Sequence, residues 1–158
     1  MSDITVRDAT PADLAFLADS NAAMALETEA KTLDRATLER GVAAVFARPE
    51  RGFYLIAERA GRAVGCLMVT YEWSDWRCGT WWWLQSVYVV ADARRSGAFR
   101  RLFHEIERRA RSGADDVIGL RLYVEKSNLL AQATYAELGM TPTAYDVFES
   151  SLGRGRRN

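Results

Sequence analysis

Val87-Tyr88-Val89-Val90-Ala91-Asp92-Ala93-Arg94-Arg95-Ser96-Gly97-Ala98-Phe99-Arg100 is the stretch on which the reading of this chain turns. Its first four residues are β-branched or aromatic and read as the end of a strand. Phe99, Leu102, Phe103, Ile106 and Ala110 then recur at helical spacing, so a helix is expected over 98–112. Between the two lies a short turn with Gly97 at its tightest point. Such a strand–turn–helix leaves backbone N–H groups without intrahelical partners at the positive end of the helix dipole, which suits an anion. Gly97 has no Cβ to hold a phosphate off the backbone, and Arg94, Arg95 and Arg100 add cationic donors. The same residues also fit a plainer arrangement, an arginine-decorated loop ahead of an amphipathic helix.

Working outward, 80–90 (TWWWLQSVYVV) is expected to be a strand. Before it, 52–58 and 63–73, joined by Arg59-Ala60-Gly61-Arg62, read as a hairpin, and Ser74 to Gly79 as a second turn. Further upstream, 3–9 alternates as a short strand does. Thr10-Pro11-Ala12-Asp13 then carries the signals of a helix start. Leu38, Val42, Val45 and Phe46 predict a second helix over 34–47. Downstream, 117–125 reads as a strand and 127–138 as a helix closed by Gly139. A last strand is expected at 143–150, and the basic segment 151–158 reads as a disordered tail. The order β α α β β β α β α β predicts one domain over 1–150, an α/β (α+β) fold with a mixed, mostly antiparallel central sheet and helices on both faces.

Bulk properties narrow the function. At 158 residues the chain is long enough for one substantial core. The 21 Lys and Arg balance the 21 Asp and Glu, so no global field points to nucleic acid or an anionic membrane. No apolar run approaches the ~18 residues of a spanning helix, and MSDITVRDATPADL lacks a signal-peptide layout. A cytoplasmic protein is expected. Cys66 and Cys78 form no CxxC pair and His104 is the one histidine, which argues against a zinc site. Cys66 reads as a small core residue and His104 as a surface one.

The run 94–99, Arg94-Arg95-Ser96-Gly97-Ala98-Phe99, resembles the pyrophosphate-binding motif Arg/Gln-x-x-Gly-x-Gly/Ala of GNAT acetyltransferases. A second motif agrees: Leu122-Tyr123-Val124 on a strand, then Asn128, Ala131 and Tyr135 on a helix, then Gly139-Met140. The order of motifs and elements is similar to the family's over nearly all of 3–150, and the layout is closest to its diamine and spermidine acetyltransferase branch. One position departs from the pattern: Phe99 stands where Gly or Ala is usual, so its ring must point away from the phosphates, into the core beside Leu102 and Phe103.

The resemblance implies an N-acetyltransferase that moves acetyl from acetyl-CoA to a primary amine of a small molecule, by direct transfer in a ternary complex. It implies a splay between strands 80–90 and 117–125, into which the pantetheine arm inserts like an extra strand. Val87, Tyr88 and Val89 would border that arm, and the Val89 N–H would polarise the thioester carbonyl. Arg94 to Arg100 (Arg94, Arg95, Ser96, Gly97, Ala98, Phe99, Arg100) would hold the pyrophosphate, with Asn128 and Ala131 toward the pantetheine. Tyr135 is the general-acid candidate for the leaving thiolate.

The base is more open. Glu27, Glu29, Glu72 and Asp75 are the carboxylates that border the acceptor side, with Glu72, Glu27 or water the candidates to take the amine proton. Gln85 and Ser86 stand where the polyamine branch carries acids, and neither is a base at neutral pH. Trp81 and Trp83 share one face of their strand and Trp82 the other. With Tyr71, Trp73 and Trp76 they form either a wall for a cationic amine or the packing of a core or dimer interface. A homodimer is the family-based expectation. The rival reading is a non-catalytic acyl-CoA-binding GNAT-like sensor or interaction module, which would keep the turn but need no Tyr135.

Overall fold

In the computed structural model, residues 4–113 and 116–153 are described. They divide at Leu122/Tyr123 into two compact units. The first holds β1 (Ile4–Asp8), α1 (Leu14–Glu29), α2 (Arg35–Ala47), β2 (Phe53–Arg59), β3 (Arg62–Ser74), β4 (Gly79–Val89), α3 (Ala98–Arg111) and β5 (Val117–Arg121). The second holds α4 (Leu129–Glu137).

The strands of the first unit form one sheet in the order β1-β2-β3-β4-β5. The first four pair antiparallel, and β5 joins β4 in parallel. The β2–β3 hairpin turns on Ala60 (φ 51) and Gly61 (φ 74), two left-handed residues in succession, which match the twist of the flanking strands. The mixed, mostly antiparallel sheet expected from the sequence is what forms.

Alternation along β2 separates two packed layers. Tyr54 and Ile56 join Cys66 of β3 against Leu17 of α1 and Val42 and Val45 of α2. Phe53 lies on the opposite face, edge-on to Trp82 at 5.4 Å, with Arg109 of α3 over its ring at 6.0 Å. Leu102 and Ile106 of α3 are fully buried. Each such side chain contributes about 1.5–3 kcal/mol on burial. Exposed pairs on the same helix, such as Arg111–Glu107, give only about 0.3–0.5 kcal/mol each. The apolar stripe therefore holds α3 on the sheet, and the ion pairs decorate it.

The entry to α1 follows its sequence signals. Asp13 Oδ2 accepts from the Thr10 N–H at 2.8 Å, and the two Asp13 oxygens take both terminal nitrogens of Arg7 at 2.8 Å each. Asp34 caps α2 by accepting from the Thr37 N–H at 2.8 Å. Cys66 is buried, as expected, and burial pushes its thiol up to about 11, so it is no thiolate nucleophile at neutral pH. His104 lies on the surface beside Glu107.

In the second unit, Asn128 Oδ1 accepts from the Ala131 N–H at 3.1 Å and starts α4. Gly139 (φ 85) ends it: Met140 N–H returns to Tyr135 O at 3.0 Å and Gly139 N–H to Ala136 O at 3.0 Å.

Two expectations need correction. The strand expected over 117–125 stops at Arg121, because its ladder with β4 ends at the Trp83–Arg121 pair. The strand expected at 143–150 is not formed: these residues join no ladder, and Phe148 is 92% exposed. Alternating apolar residues make a strand only where a neighbouring backbone takes their hydrogen bonds. Of the expected tail 151–158, residues 154–158 lie outside the described residues, and 151–153 carry no regular structure.

Candidate active site

The decisive local feature is the parting of β4 from β5. Their shared register runs through Trp81–Gly119, Trp82–Leu120 and Trp83–Arg121, while β4 continues to Val89. Beyond Trp83, the β4 edge that faces away from β3 has no strand partner among the described residues. A β-bulge lies just past that point. Cys66 opposes Tyr88 and Met68 opposes Gln85, so Leu67 faces both Ser86 and Val87, with Ser86 at φ 48. The Cys66 thiol lies under the bulge and donates to Ser86 O at 3.7 Å. The extra residue also resets the alternation, which brings Tyr88 onto the same face as Gln85, the face packed by α1.

At the end of β4 the backbone direction can be read from one bond. Val90 N–H donates to Val64 O of β3 at 3.0 Å. By the two-residue alternation, the peptide groups of Val89 then face the open edge. Val89 O accepts there from Arg94 Nε at 3.1 Å.

The chain next makes a tight turn through Arg95 (φ 62) and Gly97 (φ 87) into α3. Among the described residues no side chain caps this helix at Gly97, so its first turn presents backbone N–H groups at the dipole's positive end. A Cβ built on Gly97 would meet nothing within 4 Å, so the space over the turn is open on the ligand side. Phe99 turns away from it, its ring 6.1 Å from that of Phe103 one turn on. Uncapped amides, a left-handed glycine and an averted Phe99 fit a pyrophosphate at this turn.

Around the turn the structure brings Glu27, Tyr88, Val89 and Arg94 together. Glu27 Oε2 takes Arg94 Nη2 at 2.6 Å, Glu27 Oε1 takes the Tyr88 hydroxyl at 2.9 Å, and the guanidinium lies over the Tyr88 ring at 5.6 Å. Arg94, then Tyr88, hold the Glu27 carboxyl below the usual carboxylate range. Burial, then Glu27, push the Tyr88 phenol up.

Glu72 belongs to a second cluster at the head of the splay. Its Oε2 accepts from Trp83 Nε1 at 2.6 Å and from Arg121 Nη1 at 2.8 Å, and these donors, Trp83 first, hold its carboxyl low. Arg121 stacks on Trp81 at 4.0 Å, and Trp81 lies flat over Gly119, where an added Cβ would come within 2.4 Å of the ring. Gln85 Nε2 donates to Thr70 Oγ1. Arg121 and the Ser86 bulge escaped the sequence reading. The signal for Arg121 was available, since it is the one cation inside the apolar run VIGLRLYV. Trp76, by contrast, is 85% exposed on the β3–β4 turn, and Asp75 Oδ1 accepts from its N–H at 2.9 Å.

Asn128, Ala131 and Tyr135 lie in the second unit. Asn128 is the cap of α4, and Ala131 and Tyr135 follow it at helical spacing. Tyr135 is half-buried, and burial pushes its phenol up, so the hydroxyl keeps its proton at neutral pH.

The comparisons with known proteins agree with this geometry. The model of the Acetyltransferase (GNAT) family matches residues 17–140, and the chain belongs to that family. A possible acetyltransferase from Clostridium difficile 630 is 40% identical, with a TM-score of 0.87 over 96% of this chain and 99% of its own. A predicted acetyltransferase from Clostridium acetobutylicum, solved with acetyl-CoA, shares the fold at 15% identity, with a TM-score of 0.74 over 93% of this chain and 96% of its own. Curated protein sequences give no match. Family membership makes the protein a GNAT acyltransferase, and GNAT enzymes use acetyl-CoA. No helix among the described residues is long and apolar enough to cross a membrane.

Proposed function

We propose that this protein is an N-acetyltransferase, which moves the acetyl group of acetyl-CoA to a primary amine of a small molecule in a ternary complex. The observation that carries the reading is the open β4 edge beyond Trp83, which leads directly into the uncapped turn at Gly97. An extended amide-bearing arm can pair with such an edge as a strand would, while its phosphates meet the helix N-terminus. Acetyl-CoA supplies the activated acetyl group as a thioester.

The chain's own residues do the rest. Val87, Tyr88 and Val89 border the arm, and the Val89 N–H donates to the oxygen on which charge develops. Arg94, Arg95, Ser96, Gly97, Ala98 and Arg100 hold the phosphates, with Phe99 packed behind them. The family resemblance gives Asn128 and Ala131 to the cofactor, and Tyr135 the proton that the departing thiolate takes up. Glu72 and Glu27 are weak bases at their depressed pKa values. Water therefore takes the amine proton first, with Glu72 or Glu27 the carboxylate that holds the ammonium until that proton is lost. In this reading the domain spans 1–150, works in the cytoplasm and pairs as a homodimer.

The first experiment is the thermal midpoint with and without excess acetyl-CoA, beside an Arg94→Ala/Gly97→Glu variant. At a concentration 100 times the dissociation constant, linkage gives about 2.7 kcal/mol of added stability. A rise that the variant lacks supports the cofactor turn and opens an amine screen by free-thiol release. Binding without thiol release for any amine, and with Tyr135→Phe indistinguishable, would favour the non-catalytic sensor instead.

A further inference from the structure

Arg94 is engaged from three directions within the free chain. Its Nε donates to Val89 O on the open β4 edge, its Nη2 meets Glu27 Oε2, and its plane covers the Tyr88 ring. Glu27 stands near the C-terminal end of α1, 67 residues from Arg94 in sequence, so the pair ties a helix of the α1 face to the phosphate turn. A carboxylate oxygen on a guanidinium is the same charge-assisted contact that a phosphate oxygen makes. The side chain that is to meet a pyrophosphate is thus already satisfied by an internal anion, and it lies across part of the edge that the pantetheine arm needs.

We propose that Glu27 is an internal stand-in for the cofactor's pyrophosphate: its pair with Arg94 straps the groove in the free enzyme, and acetyl-CoA displaces it. The inference rests on the acetyl-CoA reading above.

The magnitudes allow the exchange. Glu27 and Arg94 are 43% and 46% exposed, and an exposed pair of this kind changes an equilibrium by up to about fivefold. A pyrophosphate would meet Arg94 and Arg95 together with the N-terminal amides of α3, more charge-assisted contacts than a single carboxylate makes. Once Arg94 has turned to the phosphates, Glu27 loses the partner that most neutralises it and keeps the Tyr88 hydroxyl.

Calorimetric titration with acetyl-CoA tests this on the wild type, Glu27→Gln and Glu39→Gln. Glu39 pairs with Arg35 on α2 and controls for the loss of one negative charge. Glu27→Gln is expected to bind about two- to fivefold more tightly than the wild type, with Glu39→Gln unchanged. The gain must vanish in an Arg94→Ala background. Equal or weaker binding by Glu27→Gln, or a gain that survives without Arg94, overturns the strap and leaves the acetyl-CoA reading standing. Absence of binding in all the proteins at millimolar acetyl-CoA overturns both.

Discussion

Trp83 Nε1 donates to Glu72 Oε2 at 2.6 Å, a bond that crosses from β4 to β3 at the last residue of β4 still paired with β5. The same oxygen takes Arg121 from β5, so one carboxylate ties three strands together where the splay begins. Glu72→Gln removes the charge from this junction and leaves Arg121 without its counter-ion. The expected cost is about 1 kcal/mol, read as a fall of roughly 3 °C in Tm for a chain of this size. In the acetyltransferase reading, KM for the amine also rises more than kcat falls.

Gly97 adopts φ 87 at the entry to α3, and nothing among the described residues would touch an added Cβ. Gly97→Ala therefore suffers only the backbone penalty, about 1 kcal/mol, visible as a modest drop in chemical denaturation midpoint. In the acetyltransferase reading, a methyl group at this turn crowds the phosphates, so acetyl-CoA affinity falls more than stability does. Titration calorimetry separates the two effects.

Tyr135 keeps its proton because burial raises its phenol above the ordinary value. If it protonates the departing thiolate, Tyr135→Phe lowers kcat by about 100-fold while the dissociation constant for acetyl-CoA stays within a few-fold. Steady-state rates beside equilibrium titration check this. An unchanged kcat would remove Tyr135 from the chemistry.

Glu105 lies between Arg108 and Arg109 on α3, and Arg108 first, then Arg109, lower its carboxyl to about 2 from 4.5. A carboxyl whose folded pKa lies below its unfolded value adds stability above the unfolded value and loses it as pH falls through the folded one. Its contribution is therefore full above pH 4.5 and is lost toward pH 2. Glu105→Gln should be less stable than the wild type by about 1 kcal/mol at pH 7, and the two unfolding curves should converge over that acid window.

Much of this architecture was legible in the residues. The order of elements as far as α4, the Thr10–Asp13 helix start, the Gly139 cap and the inward stripe that carries Phe99 each depend on residues within a few positions of one another. The strand–turn–helix at Gly97 was legible for the same reason, since a strand end, a glycine and a helix start are neighbours in sequence. Family motifs added the assignment of Asn128, Ala131 and Tyr135, which no local pattern carries.

The sequence by itself determined the elements from β1 to α4, their order and the turn at Gly97, because backbone preference and hydrophobic period act over short spans. Tertiary structure alone decided where β5 stops, that Ser86 forms a bulge, and that 143–150 forms no strand. It also decided that Glu27 faces Arg94 and Glu72 faces Arg121, partners 67 and 49 residues apart. Ladders, bulges and ion pairs depend on which distant backbone or charge the fold brings within about 3 Å, and no periodicity in the chain encodes that neighbour.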